Sequence, residues 1–203
     1  MSYLSFAETK STCYLAYDGN KGESYKFPDG SVWMIIDAWA TRISGFKAIL
    51  IRPSSERNLM VLSFAGTDSL RDVVADGAQV LGVKPVQYYQ ALILTNVCNS
   101  AFGESLHLTG HSLGGGLAAY SSVETKLFAS TINPAPLVAA ASFSALFGNN
   151  SQITNYIAGG SEFVSSSPGR NPGRDVAVPA KGNFFTRHSL ANTAPSVPLP
   201  TKI

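Results

Sequence analysis

The segment that decides the fold is Leu106-His107-Leu108-Thr109-Gly110-His111-Ser112-Leu113-Gly114-Gly115-Gly116-Leu117-Ala118. A short apolar strand is predicted at 105–109, and the run of small residues from Leu113 to about 126 predicts a helix. Between them stands the pattern G-x-S-x-G, in which glycines flank a serine on a sharp strand-to-helix turn. A phosphate-binding loop, the alternative, would need a lysine that this segment lacks. The segment therefore predicts that Ser112 is a nucleophile.

Strands and helices alternate on both sides of this turn. Further helices are predicted at 3–17, 85–99 and 137–147, and further strands at 46–52, 59–65, 127–132 and 153–158, with a later edge strand starting at Val176. Residues 20–30 are predicted to be a loop. This alternation favours βαβ units around a mainly parallel central sheet flanked by helices. We expect one α/β domain over residues 1–203, with its core at about 31–194.

Composition excludes several classes of protein. The chain has 203 residues, of which 45% are hydrophobic and 14% charged, with a formal net charge of +2, so a nucleic-acid binder is not expected. Cys13 and Cys98 suggest buried thiols, and no His/Cys/Asp cluster predicts a metal or cofactor. No signal peptide or membrane span is predicted, so the default expectation is a cytoplasmic protein, with signal-independent export left open.

Four further segments complete a family pattern. They are Leu62-Ser63-Phe64-Ala65-Gly66-Thr67-Asp68-Ser69, Asn133-Pro134-Ala135-Pro136, Tyr156-Ile157-Ala158-Gly159-Gly160-Ser161-Glu162-Phe163-Val164 and Arg187-His188-Ser189-Leu190. With the Ser112 motif, they make the chain resemble the class 3 lipase family from about Gly45 to Asn192. The resemblance implies an α/β-hydrolase fold and lipid ester hydrolysis. Ala65 departs from the family, which usually has arginine there.

The general base is predicted to be His188. The α/β-hydrolase chain order is serine, acid, histidine, and only His188 follows Ser112. We interpret His107 as a packed strand residue, and we expect the His111 side chain to point into the structure. His188 would take the Ser112 proton and return it to the leaving alcohol.

Two residues remain candidates for the acid that orients His188. Glu162 follows a predicted strand, in the place where the family usually has aspartate. Asp175 is the commoner residue type but precedes the predicted edge strand. Glu124, on the helix after Ser112, is expected to be solvated. Glu162 is preferred, and Asp175 is the alternative.

Two backbone donors are needed for the oxyanion. The N–H of Leu113, at a helix N-terminus, points towards the developing charge. By resemblance, Thr67 supplies the second donor. The resemblance also places a short lid at 69–84, and candidates for the acyl pocket are Val80, Leu81, Val83, Phe143, Phe147, Phe163, Phe184 and Phe185.

Together these features predict a serine hydrolase that cleaves lipid or phospholipid esters through an acyl-serine, as a lipase or phospholipase A. The slightly basic C-terminal part of the chain favours a solvated face and leaves peripheral contact with a membrane open. Bacterial relatives of this compact type include secreted or injected toxins. An amidase, thioesterase or acyltransferase with the same triad stays open, as does a non-catalytic lipid- or partner-binding module.

Overall fold

The computed structural model describes residues 4–66, 85–137 and 150–203. Within these ranges the α-helices are α1 (Phe6–Asp18), α2 (Pro85–Phe102) and α3 (Leu113–Thr125). The strands are β1 (Ser24–Lys26), β2 (Val32–Ala40), β3 (Lys47–Pro53), β4 (Met60–Phe64), β5 (Leu106–His111), β6 (Ala129–Ile132), β7 (Ile153–Ala158), β8 (Arg174–Val178) and β9 (Thr201–Lys202). The predicted lid at 69–84 and all but the first residue of the predicted helix at 137–147 lie outside the described residues.

The described strands form one mixed sheet in the order β8-β7-β6-β5-β4-β3-β2-β1-β9. Strands β4 to β8 are parallel, which confirms the predicted parallel centre. An antiparallel extension of β3, β2, β1 and β9 continues the sheet beyond β4. The prediction of a loop throughout 20–30 is wrong, because Tyr25 in β1 pairs with both Trp33 and Lys202, a partner far along the chain.

Helices cover both faces of the sheet, and the alternation of side chains decides what each face contacts. On one face Leu50, Leu62 and Leu108 belong to the core cluster that includes residues of α2 and α3. On the other face Ile49 and Val61 belong to the cluster that includes residues of α1. Strands buried on both faces need continuous apolar runs, and β4 and β5 have every residue buried.

Helix α1 is bonded to the C-terminal part of the chain. The buried Lys10 ammonium donates to the carbonyl oxygens of Ala194 at 3.0 Å and Val197 at 2.7 Å. These bonds tie α1 to the segment that follows His188, and Tyr17 lies at the C-terminal end of α1. Across the parts of the chain that the structure describes, no helix is both long and apolar enough to cross a membrane.

The carboxyl ends of the parallel strands share one edge of the sheet, the usual place for a ligand in an open α/β sheet. Gly66 follows β4, Ser112 follows β5, Asn133 follows β6 and Glu162 follows β7. The predicted nucleophile and acid therefore emerge at the same edge from separate strands.

Candidate active site

Ser112 occupies a strained turn between β5 and α3. Its φ of 59° and ψ of −127° are unusual for a residue with a side chain, and such conformations cost on the order of 1–3 kcal/mol. Gly110 and Gly114 make the turn possible, since a Cβ at Gly110 would overlap the carbonyl of Gly114, and one at Gly114 would overlap the carbonyl of Phe64. The Ser112 N–H donates to the Ile132 carbonyl at 3.1 Å. The predicted elbow is therefore present.

The backbone after β4 passes directly against the nucleophile. A Cβ built on Gly66 would lie 3.1 Å from Cβ of Ser112 and 2.9 Å from the carbonyl oxygen of His111, so a glycine is needed for this approach. Leu113 begins α3, where helix N–H groups are free of intrahelical partners. Thr67, the second predicted oxyanion donor, lies outside the described residues.

The structure brings Glu162 and His188 together. Oε2 of Glu162 lies 2.6 Å from Nδ1 of His188, and Glu162 is wholly buried. The same oxygen accepts from the Val164 N–H at 2.9 Å, while Oε1 accepts from the Ser165 N–H at 2.6 Å. Nε2 of His188 is buried and has no hydrogen-bond partner among the described residues. This leaves one ring nitrogen of His188 bonded to a carboxylate and the other without a partner.

The charge state of Glu162 follows from these contacts. Burial alone would raise the pKa of its carboxyl, but the hydrogen bond and positive charge of His188 outweigh burial, with further help from Ser165. The net result is a pKa below the ordinary value for glutamate. Glu162 is therefore ionised at neutral pH and suited to stabilise an imidazolium.

The other two acidic candidates lie elsewhere. Asp175 is exposed on β8, the edge strand, and its Oδ1 accepts from Nδ2 of Asn155 at 2.9 Å. Glu124 is exposed near the end of α3, as expected. Neither makes the contact with His188 that Glu162 makes.

The two remaining histidines are buried and neutral. Nε2 of His107 pairs with Oγ of Ser130 at 3.0 Å, and burial lowers the pKa of His107 to about 4. Burial, together with the charge of His188, lowers the pKa of His111 to about 3. The side chain of His111 does point into the structure, where it contacts Tyr17 and the backbone of His188. Sequence analysis gave Tyr17 no role, and no local pattern marks it.

Asn133, also given no individual role by sequence analysis, anchors the segment that carries His188. It has a φ of 45° just after β6. Its Nδ2 donates to the His188 carbonyl at 2.9 Å and to Oγ1 of Thr193 at 3.0 Å, and its Oδ1 accepts from the Ala158 N–H at 2.9 Å. The signal available was the Asn-Pro pair at the end of a predicted strand.

Three phenylalanines form a cluster beside the acid and the base. In this aromatic trio of Phe163, Phe184 and Phe185, ring centroids lie 5.2 to 6.4 Å apart. Phe184 is 37% exposed and Phe185 is 44% exposed. The other acyl-pocket candidates, Val80, Leu81, Val83, Phe143 and Phe147, lie outside the described residues.

Over residues 4–66, 85–137 and 150–203, no group of three or more histidine, cysteine, aspartate or glutamate side chains is arranged to hold a metal ion. Cys13 and Cys98 are buried free thiols, as predicted. Burial raises the pKa of Cys98 to about 11 and that of Cys13 still further. Neither thiol therefore competes with Ser112 as a nucleophile at neutral pH.

The fold recurs in solved lipase structures. Lipase II from Rhizopus niveus is 17% identical, with a TM-score of 0.59 and coverage of 87% of this chain and 78% of that one. A triacylglycerol lipase from Penicillium expansum is 14% identical, with a TM-score of 0.56 and coverage of 87% and 79%. The Rhizomucor miehei lipase is 18% identical, with a TM-score of 0.56 and coverage of 84% and 64%. These likenesses confirm the α/β-hydrolase fold.

Sequence comparison identifies the family. The extracellular phospholipase A1 of Serratia liquefaciens is 42% identical over 92 residues, which is 45% of this chain but only 28% of that protein. The family model of Tle-like phospholipase domains matches residues 29–158, more than half of the chain and the part that contains the elbow of Ser112. This chain therefore belongs to the family of Tle-like phospholipase domains.

Proposed function

We propose that the chain is a serine hydrolase that cleaves carboxylic esters of lipids, as a lipase or phospholipase A, through an acyl-serine on Ser112. The observation that carries the proposal is the buried pair of Glu162 and His188. Its 2.6 Å contact falls on Nδ1 and leaves Nε2 without a partner among the described residues. A histidine held in this way is ready to accept a proton on Nε2 from a serine at the same edge of the sheet.

Acylation uses each group in turn. Nε2 of His188 takes the proton of the Ser112 hydroxyl while Oγ attacks the ester carbonyl carbon, whose π electrons move onto the oxygen. Glu162 stabilises the imidazolium, and the N–H groups of Leu113 and Thr67 stabilise the oxyanion. The oxyanion collapses, the C–O bond to the alcohol breaks, and His188 gives its proton to the leaving alcohol.

Deacylation repeats these steps with water. Nε2 of His188 accepts a proton from water, whose oxygen attacks the acyl carbonyl. When the tetrahedral intermediate collapses, the proton returns to Oγ of Ser112 and the carboxylic acid is released. One ester and one water give one acid and one alcohol.

Three facts support a lipid as the substrate. The chain belongs to a phospholipase-like family, its relative from Serratia is named a phospholipase A1, and the solved structures with the same fold are lipases. The aromatic trio, whose members lie in the segments that carry Glu162 and His188, adds partly exposed apolar surface there. Apolar surface at this point suits an acyl chain or a lipid surface.

We propose peripheral contact with a membrane at the same place. The trio leaves Phe184 and Phe185 partly exposed, with the basic residues Lys181 and Arg187 close in sequence. Both acidic residues after position 160 are already engaged, Glu162 by His188 and Asp175 by Asn155. Aromatic side chains flanked by positive charge favour a bilayer that contains anionic phospholipid.

Two assays test the function. The wild-type chain is expected to react with a fluorophosphonate probe and to release free fatty acid from mixed glycerides and phospholipids, as measured by mass spectrometry. Ser112→Ala is expected to do neither. Release of acyl groups only to an added amine, thiol or alcohol would favour an acyltransferase, and cleavage of amides or thioesters but not of lipid esters would assign the site to those reactions. Failure of the folded wild-type chain to react would leave a non-catalytic binding module.

Vesicle sedimentation with the inactive Ser112→Ala protein tests the membrane contact. We expect Phe184→Ser combined with Phe185→Ser to weaken binding to phosphatidylcholine–phosphatidylglycerol vesicles, and Lys181→Glu to weaken it at low salt only. Lys181→Glu should leave the rate on a short water-soluble ester unchanged when Ser112 is present. Equal binding by all proteins would contradict the proposed surface.

The name of the Serratia relative places that protein outside the cell. We propose that this chain also acts after export from the cell that makes it rather than in the cytoplasm. Immunoblots of fractionated cultures test this, and retention of all the protein in the producing cell would favour the cytoplasm.

A further inference from the structure

Both ring nitrogens of His111 have partners, and the partners fix its tautomer. Nε2 lies 2.9 Å from the backbone carbonyl oxygen of His188, a group that can only accept. Nε2 must therefore carry the hydrogen, and Nδ1 must be an acceptor. The hydroxyl of Tyr17, 2.8 Å from Nδ1, consequently donates to it.

This chain of hydrogen bonds joins the predicted nucleophile to the predicted base. His111 is the covalent neighbour of Ser112, and its ring holds the backbone of His188. The same carbonyl receives a second donor, Nδ2 of Asn133, at 2.9 Å. Two donors from the ends of two adjacent strands thus fix the residue that must reach Ser112.

We propose that His111 is a positioning residue for the reaction, since its Nε2–H, oriented by the Tyr17 hydroxyl, holds the backbone of His188 and so orients the imidazole that must take the Ser112 proton. This inference rests on the proposed function. It gives His111, the residue before the nucleophile in G-x-S-x-G, the role of orienting the general base.

The neutral state of His111 is part of this arrangement. Its ring centroid lies 4.7 Å from that of His188, with the planes 34° apart. The groups that face it are His188, Glu162 and the Tyr17 hydroxyl. Because burial lowers the pKa of His111 to about 3, it adds no positive charge beside the imidazolium that forms on His188.

Gly66 leaves room for the Tyr17 hydroxyl beside the active-site backbone. A Cβ built on Gly66 would lie 2.5 Å from that hydroxyl oxygen, so a side chain at position 66 would displace the phenol from His111. The N-terminal helix α1 thereby reaches the active-site edge through one hydroxyl group.

The kinetic test compares changes of matched size. His111→Leu removes the donor to His188, and we expect kcat on a short water-soluble ester to fall about 10²-fold, with KM within about twofold, as for a misplaced catalytic group. His111→Gln restores an N–H near the position of Nε2 and should recover at least about tenfold of that loss. Tyr17→Phe should cost about threefold to tenfold, because the ring of His111 loses the hydrogen bond to Nδ1 that orients it.

His107→Leu is the control, because it removes another buried histidine from the same strand. In the part of the chain that the structure describes, the ring of this histidine bonds to Ser130 and not to His188. His107→Leu should lower the melting temperature as His111→Leu does and leave kcat unchanged. Equal kcat for wild type and His111→Leu would overturn the inference and leave the proposed function intact. Equal losses in His111→Leu and His111→Gln would also overturn it.

A ¹⁵N spectrum of histidine-labelled protein tests the geometry without any turnover. We expect His111 to be a neutral Nε2–H tautomer throughout pH 5–8. Tyr17→Phe should keep this tautomer, because the His188 carbonyl still requires the Nε2–H, and should shift the resonance of Nδ1, which loses its donor. An Nδ1–H ring in the wild type, or one that gains charge in this range, would overturn the inference even if the chain proved not to be a hydrolase.

Discussion

Replacing Glu162 by glutamine tests the weakest assignment in the proposed triad. Three N–H groups of described residues donate to the carboxylate: Nδ1–H of His188 and the Val164 N–H to Oε2, and the Ser165 N–H to Oε1. Glutamine keeps the shape but replaces one oxygen by an NH₂ group, which cannot accept. An NH₂ group in the place of Oε1 would lose one hydrogen bond, the one from the Ser165 N–H. In the place of Oε2 it would lose two, those from His188 and the Val164 N–H.

The amide oxygen should therefore replace Oε2 and keep the bond from Nδ1 of His188. What the variant loses is the negative charge opposite the imidazolium. A hydrogen bond to a charged group exceeds a neutral one by roughly 1–1.5 kcal/mol, or about tenfold in rate. Two charges about 4 Å apart at an effective dielectric constant of about 20 give about 4 kcal/mol, or about 10³-fold. We expect kcat to fall between these limits, by about 10²-fold.

The assay is kcat on a short water-soluble ester, with Asp175→Asn as the matched control. Asp175 is exposed and bonds to Asn155, so its variant should keep kcat within about twofold. A Glu162→Gln enzyme within threefold of wild type would refute the role of Glu162, and an inactive Asp175→Asn would transfer that role to Asp175. A loss of about 10³–10⁴-fold would show instead that the amide has turned and imposed the wrong tautomer on His188.

Three further predictions concern stability and charge. The free energy of unfolding of Ser112→Gly, measured by urea denaturation, should exceed that of Ser112→Ala by about 1 kcal/mol, because glycine relieves the strain of a φ of 59°. His188→Ala should lower that free energy by about 3 kcal/mol, since it leaves Glu162 buried and unpaired, and adding Glu162→Gln should restore part of the loss. Burial lowers the pKa of His107 to about 4 and that of His111 to about 3, against about 6.5 in the unfolded chain. Between pH 7 and pH 5 the unfolded chain therefore binds more protons, and the free energy of unfolding should fall by roughly 3–4 kcal/mol. An unchanged urea midpoint over this range would contradict the prediction.

The predicted parts of the fold are those that depend on local sequence. The elbow needs glycines two positions either side of Ser112, and strands β4 to β7 are short segments with several apolar residues that alternate with helical stretches, so both are visible in the chain itself. Strand β1 has three residues and exists only because β2 and β9 pair with it on either side. Strand β2 was likewise not predicted, although Val32–Ala40 is largely apolar. Pairings of this kind are decided by tertiary contacts.

The choice of acid shows the same limit at the site. Glu162 and Asp175 both lie between Ser112 and His188, and sequence reasoning could only prefer one of them. In the structure Gly159 and Gly160, with φ of 63° and 78°, end β7 and turn the chain so that Glu162 points at His188. Asp175 lies within β8, where its carboxylate meets Asn155 of the neighbouring strand. Two left-handed glycines, whose geometry has no simple sequence pattern, make the difference.

The three histidines show how contacts and not residue type decide the task of a side chain. His107 has a hydroxyl as its partner and is buried, so it stays neutral and packs in the strand. His111 has a phenol on one nitrogen and a carbonyl on the other, so it cannot move a proton without breaking a bond that holds another residue. His188 alone has a carboxylate on one nitrogen and, among the described residues, nothing on the other. Only that combination lets a ring accept a proton and stabilise the charge that results, so a change that gave Nε2 of His188 a permanent donor should stop the reaction as completely as removal of the ring.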